Sequence, residues 1–149
     1  MYVSEFSSQQ LVPAPLDEVF EFFSDARNLQ RLTPPWLKFK VLTPEPIEMA
    51  PGVLIDYRLS WRGIPIRWRT EIEVWEPKVR FVDRQLRGPY RLWRHEHRFA
   101  EHRGGTMVED TVAYSAFGGR LAHALVVSRD VERIFNYRQQ ALGSVFPEG

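Results

Sequence analysis

The sequence predicts an α+β domain in which a curved antiparallel sheet of seven strands is covered by one long C-terminal helix, with two short helices after the first strand. Three observations carry this reading. Apolar and polar residues alternate with period two through much of residues 37–117, the segments between these runs are short and rich in Gly and Pro, and a stretch with helical period closes the chain. Side chains alternate across a strand and recur every three to four residues on a helix, so the change of period marks the change of element.

Residues Val3–Val12 read as the first strand, closed by Pro13-Ala14-Pro15, which a central strand does not tolerate. Leu16, Val19, Phe20 and Phe23 then fall at helical spacing, with Pro15 suited to a first turn and Asp17-Glu18 near the positive helix end. This predicts a helix over Leu16–Ser24. A second short helix is expected from Asp25 to Leu32, ended by Thr33-Pro34-Pro35, because the residue before a proline avoids the helical region. Six strands follow: Leu37–Leu42, Val53–Trp61, Ile66–Trp75, Arg80–Arg87, Tyr90–His102 and Thr106–Phe117. Their separators, among them Gly63, Pro77-Lys78, Gly88-Pro89 and Gly104-Gly105, are turn residues, and loops this short join antiparallel neighbours. From Leu121 to about Val145, Leu121, Leu125, Ser128, Val131, Phe135, Arg138, Ala141, Leu142 and Val145 recur at three and four. A helix of ~25 residues reaches ~37 Å. It is the one element large enough to cover the dry face of the sheet.

With 149 residues the chain has the usual size of one domain, 1–149, able to bury ~68–70% of its unfolded surface without covalent staples. A net charge of +1 leaves no global footprint for nucleic acid or anionic lipid. The absence of cysteine excludes disulfides, thiolate chemistry and Cys-bound zinc. Neither a signal peptide nor a long apolar run opens the chain, so a cytoplasmic location without integral membrane association is expected. No nucleotide fingerprint, phosphate-cradling glycine loop or G-x-S-x-G elbow is present, which argues against kinase, dehydrogenase and hydrolase classes and calls for no cofactor.

The stretch Trp93-Arg94-His95-Glu96-His97-Arg98-Phe99 separates into two faces. Arg94, Glu96 and Arg98 form the wet one, while Trp93, His95, His97 and Phe99 face the interior, where a plain core would carry aliphatic residues. Buried imidazoles need partners or a ligand, so this strand is read as one wall of an internal pocket. In a register with Phe81 opposite Phe99, Asp83 lies opposite His97 and Gln85 opposite His95; a register slipped by one changes those partners but not the face the histidines share.

The order of elements resembles the helix-grip fold of the START and Bet v 1-like superfamily, which includes polyketide cyclases and lipid-binding proteins. The similarity is carried by Ala14-Pro15-Leu16-Asp17-Glu18-Val19-Phe20, Phe81-Val82-Asp83-Arg84-Gln85, Gly88-Pro89-Tyr90, the His95 and His97 strand, and Asp110-Thr111-Val112-Ala113-Tyr114. The resemblance implies a sheet wrapped around the C-terminal helix, with a cavity between them for a hydrophobic small molecule. It implies no single activity, because this fold hosts carriers, sensors and enzymes.

Asp83, Gln85, His95 and His97 are accordingly expected to hold the polar group of a ligand whose apolar body lies against Tyr57, Trp68, Trp93, Phe99, Tyr114 and Phe135. Trp61 belongs to the same wall, and of these aromatics Trp61 and Phe135 read as core more than as ligand contacts. The competing reading is a satisfied polar network that fixes strand register. An enzyme is a third reading, with His95 and His97 as acid and base, Asp83 orienting one of them and Tyr114 polarising a carbonyl. Zinc on His95, His97 and Asp83 or Asp110 rests on an H-x-H pair alone. Arg58, Arg62, Arg67, Arg69 and Arg98 offer an interaction surface for an acidic partner or RNA, but Glu71, Glu73 and Glu96 interleave with them, as on a solvated, ion-paired face. His102 and His123 read as ordinary surface or half-buried residues.

Overall fold

A computed structural model describes residues 2–118 and 126–148. Its elements are β1 (Ser4–Val12), α1 (Leu16–Phe23), α2 (Asn28–Leu32), a 3-10 turn at Pro35–Leu37, β2 (Lys40–Val41), β3 (Leu54–Trp61), β4 (Ile64–Glu76), β5 (Arg80–Arg87), β6 (Tyr90–His102), β7 (Gly105–Ala116) and α3 (Ser128–Val145). All neighbours in the seven-stranded sheet are antiparallel, in the order β1-β7-β6-β5-β4-β3-β2. Register shifts interrupt the β4–β5 and β6–β7 ladders, and such bulges bend strands and tighten their twist. The sheet is the curved one the alternation predicts, and α3 lies against its concave, dry face.

The ends of several elements differ from the sequence reading. Helix α2 begins at Asn28, because Asp25 instead closes a turn by accepting the Arg27 backbone N–H at 3.0 Å. The strand expected over Leu37–Leu42 shrinks to Lys40–Val41, since Pro34-Pro35 start a 3-10 turn that ends with Lys38 at φ 48°. Strand β4 gains two residues at its start because Arg62 and Gly63, at φ 50° and 80°, make a two-residue hairpin whose twist matches that of the strands. Of the C-terminal helix, Ser128–Val145 is described; Leu121, His123 and Leu125 lie outside the described residues.

Among the described residues, three buried clusters fill the interior. Phe20, Phe22 and Phe23 of α1 pack with Phe81, Phe99, Val108 and Leu142 at one end. Val131 and Phe135 of α3 meet Trp93, Val112 and Tyr114 in the middle, and Ile55, Tyr57 and Ile72 pack with Ala26 under β3 and β4. The buried stripe of α3 is Val131, Phe135, Arg138 and Leu142, so a guanidinium occupies a position that spacing alone assigns to an apolar residue.

The outer face of the sheet is laced with ion pairs: Arg69 with Asp56 at 2.8 Å, Arg84 with Glu71 at 2.7 Å, Arg94 with Glu73 at 3.0 Å and Arg98 with Glu96 at 2.8 Å. Exposed pairs of this kind contribute little stability, ~0–1 kcal/mol each, but they neutralise much of the arginine run. Arg62 instead reaches Asp130, 3.6 Å away, at the start of α3. Among the described residues, no helix is long and apolar enough to cross a membrane.

Candidate functional site

The alternation in β6 places Trp93, His95, His97 and Phe99 in the interior, with Arg94 and Arg98 exposed on the other face. The β5–β6 register is Phe81 opposite His97 and Asp83 opposite His95, two residues from the Phe81–Phe99 pairing that the turn suggested. An even displacement leaves every side chain on its own face, so the inward set survives. Asp83 still meets His97, diagonally, through Oδ2 and Nε2 at 2.7 Å. Gln85 does not reach His95. It folds over the hairpin, where its amide donates to the Tyr90 carbonyl at 2.7 Å and its Oε1 accepts from the Tyr90 N–H at 3.1 Å. A Cβ on Gly88 would lie 2.5 Å from that Oε1, so the fold-over needs glycine.

His95 finds its partner on β7, where Asp110 takes the inward position between Val108 and Val112. Its Nε2 lies 2.7 Å from Asp110 Oδ1, and both side chains are buried. From α3, Arg138 Nη2 approaches His97 Nδ1 at 3.2 Å and Asp110 Oδ1 at 3.4 Å. Two carboxylates, two imidazoles and one guanidinium therefore form a single buried network. The rings stack as a pile: Phe81 on His97 with centroids 4.0 Å apart, His97 on His95 at 3.6 Å, and the edge of His95 on Phe135 at 5.4 Å.

Protonation follows from these contacts. Burial, the adjacent His95 and Arg138 push His97 down to about 4, against the opposing pull of Asp83. His97 is therefore neutral near pH 7, and Arg138 donating to Nδ1 leaves the ring proton on Nε2, facing Asp83. Burial alone would raise Asp110, but the charge of Arg138 and the hydrogen bond from His95 outweigh it and hold the carboxyl well below the usual range. In the same way, the hydrogen bond and charge of His97 outweigh burial at Asp83 and lower it. Both aspartates are ionised. Since Asp110 then accepts, His95 donates to it through Nε2, and its Nδ1 has no hydrogen-bond partner among the described residues.

This network closes one end of a cavity of about 390 Å³ between the sheet and α3. Tyr57, Trp68, Trp93, Asp83, His95 and His97, all read from the sequence as contacts, line it. Trp61 and Phe135, read as core, line it too, and the Trp61 indole N–H donates to Asp130 at 3.0 Å near the rim. Phe99 is not part of the wall: it is buried among Phe20, Phe23 and Phe81. Tyr114 is also set back, packed behind Trp93 and Tyr90. Burial pushes the Tyr57 and Tyr90 phenols well up, so both stay neutral. Arg138 and the partnership of Asp110 with His95 were not assigned from sequence. The available signal was a charged residue within each apolar pattern.

Asp83, His95 and His97, named in the zinc reading, present ligand atoms within 4.8 Å of one another. A cation there would displace the Asp83–His97 hydrogen bond and sit beside the fixed positive charge of Arg138, which disfavours it. His102 is exposed at the end of β6.

A helix-grip protein with an internal cavity and a charged cluster at one end is the class these features define. The family model described as polyketide cyclase / dehydrase and lipid transport matches residues 12–139, and the chain belongs to that family, within the START and Bet v 1-like superfamily. Among solved structures it is similar to protein CV1439 from Chromobacterium violaceum, with 12% identity, TM-score 0.77 and coverage of 97% of this chain and 98% of that one. It is also similar to the ZhuI aromatase/cyclase from a Streptomyces species, with 18% identity, TM-score 0.71 and coverage of 95% and 92%. A third is the major latex-like protein 151 from Panax ginseng, with 10% identity, TM-score 0.71 and coverage of 98% and 99%. Identities this low establish a shared fold alone. No curated protein matches the chain significantly.

Proposed function

We propose that this protein is a single-domain, cytoplasmic carrier that binds a hydrophobic or aromatic small molecule, lipid- or polyketide-like, between the sheet and α3. The observation that supports it best is the cavity: about 390 Å³, walled mainly by aromatic and aliphatic side chains, with its charged groups gathered largely at one end. Small-molecule sites have this composition and fall at ~300–1,000 Å³. The family description, which names lipid transport beside cyclase activity, agrees with it. The test is organic-solvent extraction of the purified protein followed by mass spectrometry, together with titration of an apolar fluorescent probe. One defined apolar molecule in near-stoichiometric yield, displaced by the probe, supports the carrier. An empty extract together with a probe that does not bind ends it.

A second reading, a cyclase- or dehydrase-like enzyme, is favoured by the His95–Asp110 pair. A carboxylate on Nε2 fixes the tautomer and leaves Nδ1 as a base next to the cavity, as general base catalysis requires. His97, with both nitrogens engaged, would position this pair rather than exchange protons with a substrate. Turnover of aromatic polyketide-like ketones that is lost in His95→Asn supports the enzyme.

A further inference from the structure

We infer that the cavity selects ligands whose polar group is an uncharged hydrogen-bond donor, a phenol or an alcohol, and rejects carboxylates. This rests on the cavity being a ligand site.

The polar end of the cavity is rich in acceptors. His95 lines it with Nδ1 unengaged, while Nε2 is committed to Asp110 at 2.7 Å. Asp83 lines it as well: its Oδ2 accepts from His97, and its Oδ1 has no hydrogen-bond partner among the described residues. A lone pair and a carboxylate oxygen both welcome an O–H, and neither can donate to a ligand anion.

Charge points the same way. The network sets the carboxylates of Asp83 and Asp110 against the single guanidinium of Arg138. A ligand carboxylate would add a third negative charge beside these two in a desolvated space, whereas a hydroxyl adds none. Arg138 is the group that could offset this, and it is already occupied. A guanidinium grips a carboxylate bidentately through Nη2 together with either Nε or Nη1. Here Nη2 is engaged by His97 at 3.2 Å and Asp110 at 3.4 Å, which closes both grips; Nε is buried without a partner, and Nη1 could meet a carboxylate only singly. The guanidinium thus serves the protein's own carboxylates before any ligand's.

The experiment titrates the full chain with 2-naphthol, 2-methoxynaphthalene and 2-naphthoate, followed by calorimetry and by quenching of Trp68 and Trp93 fluorescence. A buried acceptor gaining a neutral hydrogen bond makes 2-naphthol about tenfold tighter than its methyl ether, and 2-naphthoate weaker than both by about tenfold or more. The His95 Nδ1 nitrogen resonance moves with 2-naphthol and stays with the ether. His95→Phe removes the difference between naphthol and ether; should that variant fail to fold, the resonance of the unaltered protein decides. Equal binding of naphthol and ether, or naphthoate binding as tightly as the ether, overturns the donor selectivity and leaves the carrier standing. If none of the three binds, both readings fall together.

Discussion

Replacing Arg138 by Met removes the one positive charge that the described residues fix inside the site while keeping most of the bulk that packs over Phe23 and Phe135. The variant leaves Asp83 and Asp110 without their buried counter-charge and His97 Nδ1 without its donor. The Arg138 side chain is 8% exposed and that of Asp110 9%, so solvent screens little of the loss. Removing one partner from a buried ionic network costs ~3–5 kcal/mol. With a urea slope of ~1.5–2 kcal/mol per molar, the unfolding midpoint at pH 7 falls by roughly 1.5–3 M. The pH dependence separates this cause from simple loss of packing. In the unaltered protein both aspartates are depressed, so their stabilisation is present above the ordinary 3.8 and lost as the pH falls through their folded values. Without Arg138 those values rise, and His97 also rises from about 4. The variant therefore takes up protons in mild acid that the unaltered protein refuses, and the gap between them narrows from pH 7 towards pH 4. The assay is urea unfolding followed by tryptophan fluorescence at both pH values. A loss below ~1 kcal/mol, or a gap that stays constant with pH, refutes the charge-network account.

Two further outcomes follow from the same geometry. His97 is lowered from 6.5 to about 4, so the folded state resists its protonation. Stability is full above pH 6.5 and falls by about 3 kcal/mol as the pH drops towards 4, with the two aspartates adding to the loss below that; a flat stability profile between pH 7 and 4.5 would contradict it. Phe99→Ala empties a space among Phe20, Phe23 and Phe81 and costs ~3–5 kcal/mol in chemical unfolding, yet changes 2-naphthol affinity less than about twofold, because Phe99 does not face the cavity.

The architecture was legible because its signals are local and repeated. The inward pair of His95 and His97 follows from alternation alone, and alternation is unaffected by an even register error. The register itself depends on how the chain turns at Gly88-Pro89, and the Gln85 side chain that braces this hairpin pairs with backbone atoms that no pattern of residue types specifies. Gln85 therefore read as a pocket residue although it is a hairpin brace. Phe99 read as a wall residue because it shares a face with His97, but that face extends past the end of the cavity and under α1. Arg138 and Asp110 were visible as charges inside apolar patterns. That one answers the other is a property of how α3 crosses β7, which one-dimensional spacing does not encode.

The adjacency of β1 and β7 bears on how the chain is made. Ser4 hydrogen-bonds across to the strand that carries Tyr114, so the first strand emerging from the ribosome waits for about a hundred more residues before its neighbour exists. At ~5–20 residues per second that delay is about 5–20 s, during which β3 to β6 can zip together hairpin by hairpin while β1 has no edge to join. The edge of β1 spends that interval unpaired, and a nascent chain stalled before β7 would be a natural client for chaperones.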